Sequence, residues 1–143
     1  MAIIAEWEES KWLVVSSFFF TVPAVVAIVQ EEYSLSLLLV GTSLVSANYW
    51  RKATYSWRRN LDLVVAKVSF TVFAYNGVLH VRSVPSVVGG YSGLVLLLFL
   101  FYLSNAWWKM KEKRWVISHV SFHFLIMCEQ LIILKSMQIE RKN

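Results

Sequence analysis

His119 and His123 stand four residues apart, which on a helix places both imidazoles on one face, one turn from each other. Such a pair can hold zinc through its ring nitrogens, and a catalytic zinc takes a third protein ligand and an open position for water. Asp62 is the candidate third ligand, because His80, the remaining histidine, falls at the far end of its own apolar run. The competing and favoured reading is structural: polar side chains on apolar helices serve as hydrogen-bonding links between helices, and His119 and His123 are expected to link Ser46, Tyr49 and Asp62 in this way. Ser46, Tyr49 and Lys67 belong to the same polar set, while Asn76 and Glu129 lie deeper inside apolar runs.

These residues must be positioned by long apolar segments. Of 143 residues, 57% are hydrophobic and 16% charged, and the charges gather between uncharged runs instead of recurring along helix faces. The runs cover residues 12–30, 33–50, 63–81, 86–108 and 115–134, interrupted only by Lys67 and Glu129. At 1.5 Å per residue each crosses most or all of roughly 30 Å of hydrocarbon. The fold class expected is therefore all-α: a polytopic membrane protein of about five transmembrane helices in one antiparallel bundle. The short connections predict that consecutive spans pack side by side.

Lys11, Arg51, Lys52, Arg58, Arg59, Lys109, Lys111, Lys113 and Arg114 fall on one side of such a bundle, and Arg82, Lys135, Arg141 and Lys142 on the other. The positive-inside rule puts the amino terminus and the two basic loops in the cytosol, matrix or stroma. Because these cations flank spans, anionic lipid headgroups are the expected partners of Arg51, Lys52, Arg58, Arg59, Lys109, Lys111, Lys113 and Arg114, and nucleic acid is excluded despite a net charge of +5. The lone Cys128 implies no disulfide framework. Acidic Glu6, Glu8 and Glu9 replace the basic start of a cleavable signal, so the first span is expected to remain as an anchor.

An ionisable side chain in hydrocarbon is costly unless it is paired or reaches water. Lys67 can snorkel to the basic side, and Asp62 opens a helix whose partial positive charge favours a carboxylate. Glu129 lies about four turns into its span and cannot snorkel easily, so it is expected to meet Asn76, a lipid-shielded water, Lys135 or another subunit. Alternating topology brings Ser46, Tyr49, Asp62, Lys67, His119 and His123 into one leaflet.

Ser46-Ala47-Asn48-Tyr49-Trp50, then Leu61-Asp62, then Ser118-His119-Val120-Ser121-Phe122-His123 together resemble the signature of the CREST superfamily of alkaline ceramidases, progestin and adiponectin receptors and myomaker-like proteins. That pattern is Ser-x-x-Tyr-His closing one span, Asp opening the next, and His-x-x-x-His opening the last. The resemblance covers residues 16–75 and 115–128, and Pro23-Ala24 is similar to myomaker-like members. It implies seven spans, a zinc held by three histidines, a Ser and an Asp beside the metal-bound water, and hydrolysis of lipid amides. Two departures matter. Five spans stand here in place of seven, and Trp50 occupies the place of the first histidine, where an indole N–H can donate but cannot ligate.

The function expected is accordingly that of a small non-catalytic membrane protein, an accessory or structural subunit of a larger complex in an energy-transducing membrane. The mitochondrial inner membrane is favoured over plastid or endoplasmic reticulum on composition alone. No cofactor is expected. The alternatives are a zinc-dependent lipid amide hydrolase using His119, His123 and Asp62, and a small transporter component with Lys67, Asn76 and Glu129 along a polar path.

Overall fold

The computed structural model describes residues 2–143 as an all-α bundle. Its helices are α1 (Trp7–Ser17), α2 (Thr21–Val29), α3 (Tyr33–Trp50), α4 (Trp57–His80), α5 (Val84–Lys109) and α6 (Trp115–Lys142). Together α1 and α2 form one apolar span, Trp7–Val29, joined by a 3₁₀ turn at Phe18–Phe20. The turn has a local cause. Pro23 has no N–H to give the Phe19 carbonyl four residues back, and its ring crowds that carbonyl. Ser16 and Ser17 compete for the backbone just upstream, both reaching the Leu13 carbonyl, at 3.2 and 2.6 Å.

Four segments are long and apolar enough to cross a membrane: Trp7–Val29, Trp57–His80, Val84–Lys109 and Trp115–Lys142. The 18-residue α3 completes the bundle. It carries no charge, and its Ser36, Thr42, Ser43 and Ser46 are buried among its neighbours. The fold is thus a polytopic membrane bundle of four to five long apolar helices.

Two links are closed by the same device. After α2 the Glu32 N–H donates to the Ala27 carbonyl at 2.8 Å, and after α5 the Glu112 N–H donates to the Trp107 carbonyl at 2.9 Å. Both closures need a left-handed residue, supplied by Glu31 (φ 63°) and Lys111 (φ 59°) where glycine is the usual choice.

The amino-terminal segment is tied to the basic loops. Ile4 N–H donates to the Ala53 carbonyl at 2.8 Å, the Trp108 indole donates to the Ile4 carbonyl at 2.9 Å, and the Trp115 indole to Glu9 at 3.1 Å. At the other end Arg141 pairs with Glu32 and donates to the Gln30 carbonyl at 3.0 Å, and His80 meets Glu140 at 2.8 Å. These contacts carry α6 as a helix past Leu134, where its apolar run ends. The amino terminus and both basic loops therefore share one end of the bundle, and the carboxyl terminus lies at the other. Cysteine labelling of intact membranes should report Lys52→Cys and Asn143→Cys from opposite faces; labelling of both from one face would refute this topology.

The core lies where the first span, α3, α4 and α6 meet. Phe20, Ala24, Ala27, Leu35, Leu39, Phe73, Leu134 and Met137 form its apolar centre, with Leu39, Ala27 and Leu134 wholly enclosed. The expected side-by-side packing of consecutive spans fails at one place. Helices α4 and α5, joined by only Val81–Ser83, do not pack along one another; α4 lies on α3 and α6, and α5 on α6. A short link fixes where two helices meet, while their side chains decide whether they stay together. Here α6 offers each a better surface.

Candidate functional site

Between α4 and α5, floored by α6 and the end of α3, lies an open cleft of about 920 Å³. Its basic end is lined by Ser46, Tyr49, Trp50, Arg59, Asp62, Lys67, Ser104, His119 and His123, so the candidate site residues do converge. Asn105 and Trp108 of α5 join them; Asn105 belongs to no spaced motif and gave no signal in the sequence, while Trp108 belongs to the tryptophans that crowd the basic face.

The histidines are held by serines. His123 is 5% exposed, and its Nδ1 lies 2.7 Å from the Ser16 hydroxyl across α6 and α1. His119 Nδ1 lies 3.1 Å from the Ser104 hydroxyl of α5. The links expected from the histidines to Ser46, Tyr49 and Asp62 are thus made to other hydroxyls. Ser16 and Ser104 sit in long apolar runs where spacing gave no reason to single them out. Ser46 instead pairs with Ser17 at 3.0 Å and is faced by the Asp62 carboxyl. Tyr49 is reached by Arg59, whose guanidinium also lies over the Tyr55 ring at 5.2 Å.

The same serine chemistry joins α3 to the first span: Ser43 donates to the Ser17 carbonyl and Ser36 to the Ala24 carbonyl, both at 2.9 Å. Ser118 donates to the Leu100 carbonyl at 2.9 Å and ties α6 to α5. Small hydroxyl side chains let helix backbones approach and close hydrogen bonds where lipid offers none. A double-mutant cycle on Ser16→Ala and His123→Phe should return a coupling of about 0.6–1.7 kcal/mol, the range for such bonds in membranes. A coupling of zero would show that the pair is only a neighbour contact.

Lys67 is exposed on α4 and forms no ion pair with Asp62; the structure gives it only a carbonyl that accepts from Thr71 at 2.8 Å. Asn76 donates to the Val72 carbonyl of its own helix at 2.9 Å, not to Glu129. Glu129 packs instead on α5 at Gly93 and Gly90. A Cβ at Gly93 would collide with the carboxylate, so glycine there is what admits it. The headgroup candidates Arg51, Lys52, Lys109, Lys111, Lys113 and Arg114 are exposed at the basic end, and Arg58 and Arg59 are half-buried there.

Trp50 sits where a third imidazole would be needed. It is 7% exposed, its ring lies 5.3 Å from that of His119, and His119 lies 4.8 Å from His123. Its indole nitrogen is buried with no hydrogen-bond partner. Among the described residues no three of His, Cys, Asp and Glu stand close enough to share a metal ion, so Asp62 does not complete a set with the two histidines. A zinc site of the ceramidase kind does not fit this donor set.

Fold and site together define a small all-helical membrane protein whose intramembrane polar groups mostly serve to join helices. No family model, curated protein or solved structure matches the chain.

Proposed function

We propose that this chain is a non-catalytic subunit of a larger membrane complex, its spans packing against other subunits and its basic end against anionic headgroups. The observation that carries this reading is how little α4 and α5 bury. Only 11% of the most apolar stretch of each is enclosed, against 39% for the first span, and the two are parted by a cleft lined with polar side chains. A bundle complete in itself would close such a cleft, because polar groups facing hydrocarbon are costly. On composition, an energy-transducing membrane is the setting we favour, the mitochondrial inner membrane first.

The gathering of Trp50, His119, His123, Ser46 and Asp62 at one end of the cleft supports kinship with the CREST superfamily in a shortened form that has lost a metal ligand. Solubilising native membranes in mild detergent tests the subunit reading. The chain should elute with other polypeptides in fixed proportion, and its recovery as a single chain with only lipid and detergent would overturn that reading.

A further inference from the structure

We propose that the cleft between α4 and α5 is the seat of one transmembrane helix of another subunit, carrying a hydrogen-bond donor (Lys, Arg, Asn, Gln or Ser) at the depth of Glu129 and Gln130. The proposal rests on the subunit reading above and names the surface that subunit would use.

Three observations lead to it. The first is polar side chains left without partners in the residues that line the cleft. Gln130 is 5% exposed and Ser69 is 3% exposed; both residues line the cleft, and the Gln130 side-chain amide oxygen and the Ser69 hydroxyl are buried with no hydrogen-bond partner. Glu129 lines it beside them and makes no ion pair among the described residues. The Glu129 carboxylate therefore opens on the cleft with no ion-pair partner from this chain, and the unsatisfied Gln130 amide oxygen and Ser69 hydroxyl are enclosed in its walls. Glu129 is about four turns, roughly 20 Å, from the start of α6. Neither a headgroup nor bulk water serves that depth, whereas a side chain on a crossing helix can be placed at any depth.

The second is length. Lining residues run from Arg59 and Trp108 at the basic end to Val81 and Ser86 at the other, so the cleft continues through both leaflets. A lipid occupies one leaflet and presents methylenes to the polar cluster. A helix crosses both. The third is the shape of the walls. Ala66, Ala74 and Gly77 on α4 and Ser86 and Gly90 on α5 line the cleft, small residues that let a third backbone come close. Lipid packing alone gives no reason for the acceptors among them.

Photo-crosslinking in native membranes tests the proposal. A benzophenone amino acid at Leu98, which lines the cleft and is 52% exposed, should attach to another polypeptide within an apolar segment that carries one of the named donors. E129Q should preserve the yield and E129L should lower it about threefold, the weight of one membrane hydrogen bond. The same probe at Phe101, whose ring lies 5.3 Å from Phe122, should give an internal link between α5 and α6, proving that chain and probe are sound. With that control satisfied, attachment at Leu98 to lipid, to a second copy of this chain, or to nothing would overturn the proposal. If other subunits still co-purify in that case, the docking surface is refuted while the subunit reading stands; a chain recovered alone removes both.

Discussion

Trp50→His should convert the basic end of the cleft into a zinc site, raising affinity by on the order of 100-fold. The geometry is already present. His119 and His123 face each other at 4.8 Å, Trp50 stands 5.3 Å from His119, and the serines engage only the Nδ1 atoms of the two histidines. Each Nε2 is thereby left for a ligand. If the roughly 10 kcal/mol at the lower end of a structural zinc site is shared among three or four ligands, one added imidazole contributes about 3 kcal/mol. The substitution also removes a large buried side chain packed on Tyr49 and Trp115. Without metal the variant should therefore unfold at lower temperature, by about 2–4 kcal/mol in stability, and zinc should restore part of the loss. Thermal unfolding with and without zinc, alongside elemental analysis, reads both effects. A W50H protein that takes up no more zinc than the parent would remove the support for the proposed kinship with the three-histidine superfamily.

Leu134→Ala should cost about 2 kcal/mol, while Leu98→Ala should cost close to nothing. Leu134 is wholly enclosed in the apolar centre formed by α2, α3, α4 and α6, and Leu98 is on the cleft wall. In water such a truncation of a buried leucine costs about 2–5 kcal/mol, the sum of lost transfer free energy and the cavity left behind. In a bilayer the transfer part largely vanishes, because lipid is as apolar as the protein interior. What remains is dispersion lost across a gap that neither lipid nor side chains refill. At Leu98, in the chain isolated from other subunits, acyl chains take the place of the deleted methyls. Unfolding of both variants in the same bicelles decides this, and equal costs at the two positions would mean that the centre around Leu134 is not packed as described.

Much of the architecture was legible in the chain. Charge placement alone separates the runs at 33–50 and 86–108 from their neighbours, because a charge is expensive in hydrocarbon and spans must exclude it. Parity then puts Ser46, Asp62, His119 and His123 in one leaflet, and the structure does bring them to one end of one cleft. Where sequence reasoning fell short was in naming partners. A serine in an apolar run is nearly silent, yet Ser16 and Ser104 are the groups that hold the two histidines. Glu129 gave a strong signal of its own and none of its neighbour: the residue that accommodates it is Gly93, which has no side chain to announce the contact.

The sequence by itself determined that this is a membrane bundle, which end carries its positive charge and which residues share a leaflet, since those follow from solvation costs that each residue meets alone. Only the tertiary structure decided that α4 and α5 part company, that Trp50 stands beside the histidine pair, and that Ser69, Glu129 and Gln130 line the resulting cleft. Those outcomes depend on which helix face meets which. Between apolar helices in an apolar solvent that choice rests on shape and on a few hydrogen bonds between residues distant in the chain. Spacing along one helix does not encode the face presented by another.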